Sequence, residues 1–230
     1  MNRVLFYFTV KYEGDWESIY NALSSKESIE KKELNKVLLL RKNNYLCLID
    51  FTYPENLKFI YKPPFSLFWE GNFNLFSNKL ISLFSMSQKD FINLKKMDNI
   101  IKSKISFVVD YNEKNLINFL ISNQFNFICV TNHSIRQINQ SSYFKKIVES
   151  NNLVISEYPN NFKNKTNDNS YLRIISGISR RVFIGSKNNI YLNTRIKEIC
   201  SMDQIEIFTF NKNIDLNFDL LEKNNCIQKS

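Results

Sequence analysis

Glycine is nearly missing from this chain: only Gly14, Gly71, Gly177 and Gly185 occur in 230 residues. Glycine-rich turns build phosphate cradles because a residue without Cβ lets backbone N–H groups close around an anion. No G-x-G-x-x-G, P-loop, G-x-S-x-G or H-E-x-x-H pattern is present. Histidine is represented by His133 alone, and the four cysteines, Cys47, Cys129, Cys200 and Cys226, form no C-x-x-C pair. That set argues against a structural zinc, and a solitary His without a nucleophile motif reads as structural. No enzymatic chemistry, metal or cofactor is expected. Unpaired cysteines in apolar runs read as small core hydrophobes in a reducing compartment, which points to the cytoplasm. The apolar run Val4 to Val10 is too short to cross a bilayer and meets Lys11, Glu13 and Asp15 without a small-residue cleavage site, so neither export nor a membrane partner is expected.

What is present suffices for one large α/β domain with a small appendage. Hydrophobic residues make up 43% of the chain and charged residues 23%, so it should fold without disulfide staples. The formal net charge is +9. Residues 160 to 200 hold Lys163, Lys165, Arg173, Arg180, Arg181, Lys187, Arg195 and Lys197 against Asp168 and Glu198, a net of +6. A basic face suits a polyanion, because phosphates neutralised on binding release their counterions. The competing reading is a solvated Lys-rich surface, favoured by abundant Asn, Lys and Ile of the kind AT-rich genomes produce.

Residues 1–50 read as a small helical unit: Asp15 is placed to cap a helix through Trp16, Ile19, Tyr20 and Leu23, and Lys32 to Asn43 carries a second apolar stripe. A short strand, Tyr45 to Asp50, leads into residues 53–74, where Pro54, Pro63-Pro64 and Gly71-Asn72 mark an ordered, non-helical connector. Residues 51–230 form the main domain. Strand-like runs at Leu80–Phe84, Ile105–Val109, Phe125–Val130, Leu153–Ser156, Val182–Ile184 and Ile205–Phe208 alternate with helical stretches. The expected fold is therefore α/β: a Rossmann-like three-layer parallel sheet with a small N-terminal helical unit, its ligands at the carboxyl ends of the strands.

Three segments carry a resemblance. They are Asp50-Phe-Thr-Tyr53-Pro54-Glu-Asn-Leu57 with Pro63-Pro64-Phe-Ser-Leu67-Phe68-Trp-Glu-Gly71-Asn72, then Ser156-Glu157-Tyr158-Pro159, then Tyr171-Leu172-Arg173-Ile174-Ile175-Ser176-Gly177-Ile178-Ser179. Together they resemble the D-x-x-YP…PP-x-x-LF-x-x-GN, SEYP and RNRIIAGLS segments of the DNA-processing protein A (DprA/Smf) family. The resemblance implies binding of single-stranded DNA in uptake or recombination, self-association as a homodimer, and delivery of DNA to the recombinase RecA. It puts Arg173 at a helix start facing nucleic acid. Ser156, Glu157 and Tyr171 border a possible pocket, though Ser156 and Glu157 equally suit local hydrogen bonding and Tyr171 equally suits the core.

The departures are as informative. Leu83-Phe84-Ser85-Met86-Ser87 stands where the family has a strand ending in GSR, losing the glycine and the arginine that meet a phosphate. Val109-Asp110-Tyr111-Asn112-Glu113 replaces SGxAxGID and puts carboxylates where an anion would sit. The family's C-terminal winged-helix module has no counterpart in the sequence. An alternative function follows: a degenerate scaffold that mediates protein interaction, with Phe84 and Met86 offering an apolar contact in place of the lost phosphate loop.

Overall fold

Eight strands form one sheet in the structure, a computed structural model that describes residues 2–39, 44–96, 105–160, 162 and 170–209. The helices α1 (Asn2–Lys11), α2 (Trp16–Ser24) and α3 (Lys31–Leu39) come first. Asp15 caps α2 as expected, accepting a 3.0 Å hydrogen bond from the Ser18 N–H. Tyr7, Phe8, Ile19 and Ala22 bind the helices to one another, while Leu5, Phe6 and Val10 join the core beneath the sheet.

The strands are β1 (Asn44–Cys47), β2 (Ser66–Gly71), β3 (Lys79–Phe84), β4 (Ile105–Asp110), β5 (Phe127–Val130), β6 (Leu153–Ser156), β7 (Arg181–Ile184) and β8 (Glu206–Thr209), in spatial order β1-β2-β6-β5-β4-β3-β7-β8. All pairings from β3 to β8 are parallel. Each strand expected beyond the connector is found within two residues of its place. The sheet departs from the all-parallel expectation at one edge, where β1 and β2 add antiparallel strands against β6. The connector thus contributes a strand of its own, hidden in the sequence behind Pro63-Pro64 and Gly71. Gly71 is required there: its φ is +108°, and a Cβ would run into the Asn152 carbonyl as β2 closes on β6.

Helices α4 (Gln88–Lys96), α5 (Lys114–Ser122), α6 (Ile135–Ile138) and α7 (Ser142–Glu149) follow β3, β4 and β5, and α8 (Leu172–Ser179) and α9 (Ile190–Met202) follow β6 and β7. Strand side chains alternate between two apolar layers: Ile81, Phe107, Val109, Phe127, Cys129 and Val154 pack with Phe91, Leu116 and Phe144, whereas Val108, Ile128, Val130, Leu153 and Ile155 pack with Ile174, Ile175, Ile178 and Ile196. Burial on both faces explains why these strands read as continuous apolar runs. Tyr53 and Leu57 fix the connector on the second layer, and the Tyr53 hydroxyl donates to the Pro64 carbonyl at 2.8 Å. The order of the strands reverses between β3 and β7, and their carboxyl ends, with the turns that follow, frame the place where such sheets take ligands.

Candidate nucleic-acid interface

The turns after β3 and β7 are sewn together. Gly185 N–H donates to the Phe84 carbonyl at 2.8 Å and Lys187 N–H to the Ser85 carbonyl at 2.9 Å. Ser87 and Ser186 hydroxyls lie 2.6 Å apart, and the Ser85 hydroxyl donates to Asn193 Oδ1 at 2.6 Å. Ser85 adopts φ +51° in this turn. Phe84 and Met86 are buried at 2% and 4% exposure, which corrects the expectation of an apolar contact surface: the two side chains fill the chain's own core. The Asp90 carboxylate, also buried, accepts from the N–H groups of Ser87 and Ser186.

At the end of β4, Asp110 accepts from the Tyr171 hydroxyl at 2.7 Å and from Asn112 N–H at 2.9 Å. Burial raises the Asp110 pKa above the ordinary 3.8, against the pull of the Asn112 and Tyr171 hydrogen bonds. Burial, and then the Asp110 charge, push the Tyr171 hydroxyl upward, so it stays a donor. Tyr171 is 5% exposed and belongs to the core. Ser156, closing β6, donates to the His133 carbonyl at 2.7 Å and accepts from Tyr158 N–H, the local bonding open in the sequence.

Glu157 and Arg173 form a buried, two-pronged ion pair, with Nη1–Oε1 at 2.8 Å and Nη2–Oε2 at 2.6 Å. The remaining donors of the guanidinium reach the Lys62 carbonyl at 2.9 Å and the Ser170 carbonyl at 2.7 Å. Burial works to lower the Arg173 pKa, but the Glu157 carboxylate outweighs it and the net shift is upward. The pair ties the connector, the turn after β6 and the start of α8, and it turns the cation toward its own chain.

The basic stretch of 160 to 200 does not assemble into one face. Lys163 and Lys165 lie outside the described residues. Arg180, at φ +53°, ends α8 and donates to the Asp203 and Gln204 carbonyls, while Arg181 opens β7, so both stand at the amino edge of the sheet. Lys187 stands at the opposite, carboxyl edge and pairs with Glu113 at 3.3 Å. Arg195 and Lys197 are exposed on α9, and Arg195 pairs with Glu198. Beside α9, a cavity of about 380 Å³ is lined by the Glu157–Arg173 pair and by Glu13, Asp15, Glu17 and Asp203 with Lys62 and Arg195, an acidic balance unsuited to a polyanion.

Sequence reasoning missed a different row. Lys89 is the second residue of α4, Lys114 opens α5 and Arg136 lies in α6, all exposed and all in the first turn of the helix after a parallel strand. With Lys187 they follow β7, β3, β4 and β5, which are neighbours in the sheet. Three strand spacings separate the two ends of the row, about 14 Å. The Lys187–Glu113 contact shows that the turns after β7 and β4 meet across the end of β3. Lys114 also lies 5.7 Å from the centre of the Tyr143 ring. The available signal was positional: a cation in the first turn of the helices that follow β3, β4 and β5.

No family model matches the chain, and no curated protein matches its sequence. Solved structures do match it. DNA processing protein A (DprA) from Streptococcus pneumoniae superposes with a TM-score of 0.59 at 18% identity, over 88% of this chain and 72% of that one. A structure of DNA processing protein A from Helicobacter pylori, reported for its single-stranded DNA binding mode, superposes with a TM-score of 0.60 at 17% identity, over 80% of this chain and 89% of that one. The mixed sheet, its strand reversal and the helices on its two faces are therefore the α/β fold of DNA processing protein A.

Proposed function

We propose that this chain is a DNA-processing protein of the DprA type that binds single-stranded DNA along the carboxyl edge of its sheet, in DNA uptake or recombination. The observation that carries the reading is the row Lys187, Lys89, Lys114 and Arg136 across four adjacent strand ends, in the fold of proteins one of which is described in its single-stranded DNA binding mode. Two carboxylates at this edge are held within the protein, Glu157 by Arg173 and Asp110 by Tyr171 and Asn112, while Glu113 gives up Lys187 when a phosphate binds. The amino end of α5 adds its positive dipole end. The mechanism is electrostatic, with phosphates held by side chains and little reading of bases. Arg173 has a positioning role in it, whereas Arg195 and Lys197, on α9 at the other face of the sheet, lie outside the row. Binding rather than catalysis, residence in the cytoplasm, transfer of the strand to RecA and homodimer formation belong to the same reading. Among the described residues no helix is long and apolar enough to cross a membrane.

The test is binding of a fluorescent single-stranded oligonucleotide over a salt series. Replacing Lys89, Lys114, Arg136 and Lys187 by Ala lowers the salt slope by roughly 3, at about 0.7 per phosphate contact on a single strand. Arg180→Ala with Arg181→Ala, at the opposite edge, leaves it unchanged. No binding by the unmodified protein at low salt overturns the reading. One observation favours the alternative of a scaffold without DNA binding: the crevice at the strand reversal is closed by the protein's own groups.

A further inference from the structure

The reversal of strand order between β3 and β7 gives this fold a place where backbone donors of two turns converge at the start of a helix, an arrangement suited to an oxyanion. In this chain the convergence is complete, and its target is internal. Asp90 Oδ2 accepts from Ser87 N–H at 2.7 Å, from the turn after β3, and from Ser186 N–H at 2.8 Å, from the turn after β7. The Ser186 hydroxyl adds contacts of 3.0 Å to Oδ2 and 3.2 Å to Oδ1. Asp90 is 2% exposed and lies in the first turn of α4, where a negative charge is favoured.

Gly185 shows how closely the second turn is pressed onto this carboxylate. A Cβ at that position would stand 2.7 Å from Asp90 Oδ2, 2.6 Å from the Ser85 carbonyl oxygen and 2.8 Å from Met86 Cα. A Ser87 N–H bond by itself would be an ordinary helix cap. The Ser186 donors come from 96 residues away and serve no cap of α4.

We propose that Asp90 is the resident oxyanion of a phosphate-type site and fills it from within, so that the strand reversal rejects free phosphate, nucleotides and the terminal phosphate of a nucleic acid. A second anion would meet a buried carboxylate and find its donors taken. This stands on the donors around Asp90 and holds whether or not the carboxyl edge binds DNA. Asp90 is then a specificity residue: it restricts any phosphate contact at this edge to groups laid over the surface cations.

The experiment compares the unmodified protein with Asp90→Gly, Asp90→Ser and Asp90→Asn by thermal unfolding in inorganic phosphate against chloride at matched ionic strength, with formate as a second probe. Asp90→Gly and Asp90→Ser melt lower in chloride, and phosphate raises their midpoints by about 3 °C or more as it occupies the vacated donors. The unmodified protein and Asp90→Asn, whose amide keeps the volume filled, show only the smaller rise that phosphate gives through exclusion and the surface cations, and the Gly and Ser variants exceed it by that margin. A phosphate response of the unmodified protein equal to that of the Gly variant overturns the proposal. So does a Gly and Ser pair that responds to formate alone or to neither anion. Should Asp90→Gly fail to fold in chloride, the same comparison is read on Asp90→Ser.

Discussion

Two groups of cations, with Lys187 common to both, can be compared in this molecule. One is clustered in sequence, the stretch from Arg173 to Lys197, and the fold scatters it: Arg173 goes inside, Arg180 and Arg181 to the amino edge, Lys187 to the carboxyl edge, Arg195 and Lys197 onto α9. The other is scattered in sequence, Lys89, Lys114, Arg136 and Lys187, and the fold gathers it along four adjacent strand ends. A parallel sheet produces this inversion because each strand and its crossover helix return the chain to the same edge. Charge density along the chain therefore says little about charge density on such a surface.

The sharpest way to break that comparison is to remove one member of the first group. Arg173→Ala leaves the Glu157 carboxylate buried at 5% exposure without its partner, which costs about 3–5 kcal/mol of stability. Urea unfolding measures it. Replacing both residues at once, as Arg173→Met with Glu157→Gln, costs less than Arg173→Ala, because no buried charge is stranded. A loss below 1 kcal/mol, with DNA binding abolished, would move Arg173 into the contact surface. The second group behaves the other way. Ala substitutions at Lys89, Lys114, Arg136 and Lys187 change stability by no more than about 0.5 kcal/mol at exposed sites, while binding and its salt slope fall.

Much of the architecture was legible in the sequence, and the reason is burial on both faces. Runs such as Ile105–Asp110 and Leu153–Ser156 carry no polar alternation, so each stood out as a buried strand, and Asp15 announced the start of α2. The strand β2 was not legible, since the prolines before it and its glycine signal a break while its pairing with β6 depends on partners 82 or more residues away. The site was less legible still. Tyr171-Leu172-Arg173 marks a helix start correctly, but whether Arg173 faces solvent or Glu157 is decided by how the turn after β6 packs under the connector. No local pattern encodes that choice. Asp90 was missed for a related reason: its cap on Ser87 is local, whereas the Ser186 donors that define its role arrive from another turn.

The smallest effect concerns Asp110, which belongs to neither group of cations but shares their edge. Its folded-state pKa is raised above 3.8, chiefly by burial, so the ionised carboxylate opposes folding at neutral pH. The penalty is fully present above the raised pKa, is relieved as pH falls through it, and is gone below the unfolded value. Asp110→Asn keeps an oxygen to accept from Asn112, turns its amide N–H toward the Tyr171 hydroxyl oxygen and removes the charge. It should therefore stabilise the protein at about pH 7, with the gain over the unmodified chain shrinking toward pH 4. Paired unfolding curves across that range check it. A gain independent of pH would mean that packing or hydrogen bonding, not the buried charge, separates the two proteins, and the carboxyl edge would then tolerate its acids at no electrostatic cost.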